Sequence, residues 1–79
     1  MSRFTLSPNP AREWVTISSP RTIMRIVLTD SRGREFETID HISTTEHVQD
    51  ISTLSPGIYF ITVTFEQRER VRGKMVVGG

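Results

Sequence analysis

Seventy-nine residues and 9.0 kDa allow one domain, and ten basic against nine acidic residues leave a net charge of +1, which excludes a nucleic-acid binder working through bulk charge. With no cysteine, a disulfide framework and a thiolate metal site are both excluded, and the redox compartment is not readable from thiols. Ile, Val and Thr number 8, 7 and 10 against three Leu and a lone alanine, Ala11, so β-branched residues dominate and an all-β domain is expected.

In chain order, Phe4 to Leu6 is a short apolar start that runs into Ser7-Pro8-Asn9-Pro10, where two prolines remove two backbone donors and hold the chain extended. Glu13 to Ser18 reads as a strand, with Val15 and Ile17 on one face and Trp14 and Thr16 on the other. Trp14 is expected to be a partly buried sandwich residue rather than a ligand platform. Ser19-Pro20-Arg21 is expected to break the strand. Thr22 to Thr29 is the next one, with Met24, Ile26 and Leu28 on one face and Ile23, Arg25 and Val27 on the opposite face.

Asp30-Ser31-Arg32-Gly33-Arg34 is the clearest turn: Asp30 can accept a backbone N–H two residues on, and Gly33 can take positive φ. The strand from about Arg34 to Ile39 should pair back as a hairpin. Asp40 to Thr45 is polar and reads as irregular, and His47 to Ser52 as a weaker strand ending near Leu54. Ser55-Pro56-Gly57 is a tight turn before the strongest strand, Ile58 to Phe65. There Tyr59, Ile61, Val63 and Phe65 face one way, and the first three are expected in the core. Glu66 to Glu69 is a polar hairpin loop, Arg70 to Val77 the last strand, and Gly78-Gly79 a flexible end. Seven strands at roughly 8–12-residue spacing, with turn signals between them, fit a small immunoglobulin-like antiparallel β-sandwich with its core over about 4–77.

Little in the chain suggests catalysis. No nucleophile elbow, phosphate loop or dinucleotide fingerprint is present, so neither an enzyme nor a cofactor site is expected. Asp40, His41, Glu46, His47 and Asp50 form a polar cluster whose spacing matches no metal-ligand motif; both histidines read as exposed loop or strand-edge residues. Among the basic residues, Arg68, Arg70, Arg72 and Lys74 alternate, so an extended strand would project them from one face. Such a stripe reads first as a solvated face that protects an edge from pairing, and second as a dock for carboxylate or phosphate groups of a partner or a surface glycolipid. No apolar run approaches the ~18 residues of a membrane span, and no signal peptide opens the chain; an export leader would precede this stretch.

Five short signals stand in order. Leu6-Ser7-Pro8-Asn9-Pro10-Ala11 opens the domain and Trp14-Val15-Thr16-Ile17 follows. Ile26-Val27-Leu28-Thr29-Asp30-Ser31-Arg32-Gly33-Arg34 comes next, then Asp50-Ile51-Ser52-Thr53-Leu54-Ser55-Pro56-Gly57-Ile58-Tyr59-Phe60-Ile61, and Gly73-Lys74-Met75-Val76-Val77 near the end. From about Phe4 to Val77 the chain resembles the type A C-terminal sorting domain of the type IX (Por) secretion system.

The resemblance implies a non-catalytic address at the C-terminus of a cargo protein that is absent from this chain. The cargo is expected to pass through the periplasm and reach the cell surface or medium by way of the outer-membrane translocon. A sortase-like peptidase would then cut N-terminal to about Phe4 and join the cargo to an anionic lipopolysaccharide. The same resemblance marks Lys74, Met75, Val76 and Val77 as the residues the translocon reads, and Pro8, Asn9, Pro10, Asp30, Gly33, Arg34, Leu54, Gly57 and Tyr59 as the structural motif. Gly78-Gly79 extend past the usual apolar end of such domains. The competing expectation is a generic immunoglobulin-like adhesion or spacer module that binds a protein or glycan through Arg68, Arg70 and Arg72.

Overall fold

The computed structural model describes residues 3–78. Among them are five strands and no helix: β1 (Thr5–Ser7), β2 (Trp14–Asp30), β3 (Glu35–Asp50), β4 (Gly57–Phe65) and β5 (Arg70–Val77). All strand pairings are antiparallel. The all-β expectation holds. The seven-strand sandwich does not: a single curled sheet stands where two stacked sheets were expected.

Two expected breaks turn out to be bends inside long strands. Ser19-Pro20-Arg21 lies within β2, at the register shift between Ser18 and Ile23. Pro20 has no N–H to give, and a strand tolerates proline where the ladder is already interrupted. The nearly buried Ser19 hydroxyl serves the bend, donating to the Arg3 carbonyl at 2.9 Å and accepting from the Arg21 N–H at 3.1 Å. The polar stretch Asp40 to Thr45 lies within β3, where His41 (φ 57°) and Ser43 (φ 44°) take left-handed conformations. β3 places three residues between Asp40 and Thr44 where β2 places one, Met24, between Ile23 and Arg25, so the paired strands bend together.

The bend explains a second difference. β2 changes register between Ile23 and Arg25, which resets its alternation. Ile23, Ile26 and Leu28 are therefore the buried residues, and Met24 is half-buried.

β3 runs along one side of β2 for its whole length. The other side is shared, with β1 on residues 16–18 and β4 on residues 23–30; β5 then adds to β4. The sheet curls around one apolar cluster that joins Val15 and Ile17 of the first half of β2 to Ile61, Val63 and Phe65 of β4 and to Met75 and Val77 of β5. Tyr59 is half-buried against this cluster, so the expected core face of β4 is the observed one. Trp14 is 50% exposed, more open than the partly buried position expected, because it stands on the face of β2 opposite Val15 and Ile17, which turn into the core.

Candidate functional site

The terminal strand β5 carries the residues of interest. Its alternation splits them. Met75 and Val77 are 0% and 3% exposed and belong to the core, whereas Lys74 is exposed and Val76 half-buried on the outer face. In the folded domain, Lys74 and Val76 are the two of the four whose side chains an approaching partner can touch.

The proline motif sits on this strand. Both Ser7–Pro8 and Asn9–Pro10 are cis peptides, and the segment they shape reaches β5. The Asn9 side chain behaves as a piece of backbone: its Oδ1 accepts from the Val76 N–H at 2.9 Å, and its Nδ2 donates to the Lys74 carbonyl at 3.3 Å. The Ala11 N–H then donates to the Val76 carbonyl at 2.8 Å, and the Gly78 N–H to the Ala11 carbonyl at 2.7 Å. Residues 9–11 thus clamp the outer edge of β5 from Lys74 to Gly78. This ties Gly78 down, against the expected flexible end; Gly79 and Met1 lie outside the described residues. The clamp joins residues up to 67 positions apart, so no local sequence signal announces it.

Gly73 has a further role. A Cβ there would stand 2.7 Å from the Phe4 ring, so the glycine lets the N-terminal segment lie against β5. A glycine inside the strand pattern of Arg70 to Val77 was the available signal.

The basic stripe is shorter than expected. Arg70, Arg72 and Lys74 project from the outer face of β5, and the Arg72 guanidinium lies over the Phe60 ring at 4.1 Å. Arg68 sits in the hairpin turn with φ 70°, its N–H donating to the Phe65 carbonyl at 2.8 Å, and so does not continue the row. The polar cluster disperses: His47 Nε2 is 3.0 Å from Gln49 Oε1, the Glu46 carboxylate accepts from Ser18, and Asp50 accepts from Ser52. Among the described residues no group of three or more potential ligands converges on a metal position.

The remaining motif residues hold turns. Asp30 accepts from the Arg32 and Arg34 N–H groups at 2.9 and 3.0 Å and pairs with Arg34 Nε at 3.3 Å. Gly33, at φ 87°, donates its N–H to the Asp30 carbonyl. Leu54 packs on the core, its N–H donating to the Ile51 carbonyl, and Gly57 opens β4 at φ 154°. The Tyr59 hydroxyl donates to the Ser55 carbonyl at 2.6 Å, closing the turn before β4.

The Arg34 backbone bond, then the Arg32 bond and the two guanidinium charges, hold the Asp30 carboxyl below its ordinary value of 3.8; partial desolvation opposes them. A depressed carboxyl stabilises the fold above its unfolded value and loses that contribution as pH falls through the lowered one. The 30–34 hairpin should therefore loosen only below pH 3.8. In an NMR titration the Arg32 and Arg34 amide signals are expected to move with a midpoint under that value, and Asp30→Asn should abolish the movement.

This geometry defines a small all-β domain whose N-terminal proline motif fixes its last strand. The sequence profile of the family described as "Secretion system C-terminal sorting domain" matches residues 5–78, and the chain belongs to that family, the type IX sorting domains. No curated protein matches the chain. Among solved structures, CopC from Methylosinus trichosporium OB3b is similar, with a TM-score of 0.58 and 19% identity over 99% of this chain and 94% of that one. At that identity the likeness concerns the fold alone.

Proposed function

We propose that residues 4–77 form one sorting unit, the C-terminal address of a larger cargo protein, which the outer-membrane type IX translocon reads at β5. On this reading a sortase-like peptidase then cuts N-terminal to about Phe4 and joins the cargo to an anionic lipopolysaccharide. The family match over nearly the whole chain carries the proposal. The clamp supports it, because the family-type proline motif holds the strand on which Lys74 and Val76 face outward. The role asks no catalysis of this domain.

A transplant tests it. The chain is fused to the C-terminus of a periplasm-targeted reporter in a bacterium with the type IX machinery and in a mutant lacking it. Export to the surface or medium only in the competent strain is the expected result, with the reporter held in the periplasm when residues 74–79 are deleted. Retention of a folded, stable fusion in both strains would overturn the sorting role and favour a binding module. Normal delivery of the truncated fusion would remove β5 as the strand that is read.

A further inference from the structure

The sheet is curled but not closed. Its two ends, β1 and β5, approach one another across a shallow groove of about 310 Å³. Phe4, Leu6 and Val71 give this groove an apolar floor, and Arg3, Arg72 and Lys74 a cationic rim. The clamp occupies the edge of β5 only from Lys74 onward. In an antiparallel strand alternate residues turn both backbone groups to the same side. Val76 turns its N–H and C=O toward the clamp, so Arg70 and Arg72 turn theirs to the same edge, away from β4, with Arg72 lining the groove and Arg70 just beyond it. Among the described residues those N–H and C=O groups have no partner.

An open strand edge beside an apolar floor is the arrangement that takes an added strand. The open stretch, Arg70 to Lys74, is about 16 Å long at ~3.3 Å per residue. The side chains of Arg70, Arg72 and Lys74 stand on the outer face, where stacking on Phe60 of β4 holds the Arg72 guanidinium in place. A strand paired here would place alternate residues beside those cations and the residues between them on Phe4, Leu6 and Val71.

The geometry points to a strand-addition slot between β1 and β5 that accepts an extended partner segment in which acidic and small apolar residues alternate. This deepens the reading of β5 as the strand recognised in sorting. Binding in the test tube reports on the slot alone and the transplant reports on export, so either can fail without the other.

The probe is a seven-residue peptide alternating glutamate and valine, titrated into the intact domain and followed by NMR and calorimetry. The largest amide shifts are expected at Arg70, Arg72 and Lys74. A lysine–valine peptide should bind at least about ten-fold more weakly, since like charges then face each other. Methylating the peptide nitrogens that face β5 should weaken binding by about ten-fold or more, because each removes a main-chain hydrogen bond. The Arg70→Glu/Arg72→Glu variant should lose the preference for the acidic peptide. Should that variant not fold, the methylated peptide still tests the slot on the native protein.

Equal binding of the methylated peptide would overturn strand addition and leave only charge attraction. No binding at millimolar peptide, or shifts confined to another face, would overturn the slot. The Glu35-Phe36-Glu37 run of β3 offers a similar alternation from a second copy. Sedimentation as a dimer that dissociates on Glu35→Lys/Glu37→Lys substitution would reassign the slot to self-association.

Discussion

Ile61→Ala should lower the melting temperature by about 10–30 °C, the thermal equivalent of about 2–5 kcal/mol in a domain this size. Ile61 is 0% exposed at the centre of β4, where it meets both the β2 and β5 sides of the core. A domain of this length has only about 4–12 kcal/mol of stability to lose, and its thin curled sheet has little second-layer packing to collapse into a void. Ile58 provides the comparison. It lies three residues earlier on the same strand, 44% exposed on the outer face, and Ile58→Ala should cost under about 1 kcal/mol. Thermal unfolding by circular dichroism checks both. Equal losses at the two positions would contradict the burial of β4. Ile61→Ala would also depress export through unfolding, so it does not separate folding from recognition. Replacement of the exposed Lys74 does.

The success at β4 and the failures elsewhere have one physical origin. β4 was legible because strict alternation from Ile58 to Phe65 follows a Pro-Gly turn, and each of these signals is local. The Asp30–Arg34 hairpin was legible for the same reason, its hydrogen bonds spanning two to four residues. Pro20 and the polar run 40–45 do not end strands as the sequence suggests, because a missing donor or a left-handed residue ends a strand only in isolation. Here the partner strand bends at the same place and the pairing continues on either side. Five strands therefore contain seven strand-like segments. Met24 and Ile23 exchanged roles because the register shift beside them is a property of a strand pair, invisible in one strand's pattern. Trp14 is exposed because Val15 and Ile17, on the opposite face of β2, are the residues that turn into the core. On the strand proposed to be read, the outward residues are Lys74 and Val76 rather than all four. The residues that hold it, Asn9 and Ala11, act across more than sixty positions.

That long-range clamp leads to the second large effect. Asn9→Ala removes the donor to the Lys74 carbonyl and the acceptor for the Val76 N–H together. Water can reach both groups once the side chain is gone, so the cost is the net worth of the bonds, about 1–2 kcal/mol, rather than a full burial penalty. Because the clamp acts at one edge, the loss should appear as local opening. Hydrogen exchange at the Val76 amide should accelerate by about 5–30-fold, the factor that 1–2 kcal/mol represents, while Ile61 and Val63 change far less. Asn9→Asp separates the two bonds. The carboxylate still accepts from Val76 but sets an oxygen against the Lys74 carbonyl, so Val76 should stay more protected than in Asn9→Ala while the strand end remains looser than in the native domain. If the translocon reads β5 as a held strand, both variants lower reporter export at temperatures where the core is intact, Asn9→Ala the more. Undiminished export alongside accelerated Val76 exchange would show that the strand is read without its clamp, and would move recognition from the folded edge to the released terminal segment.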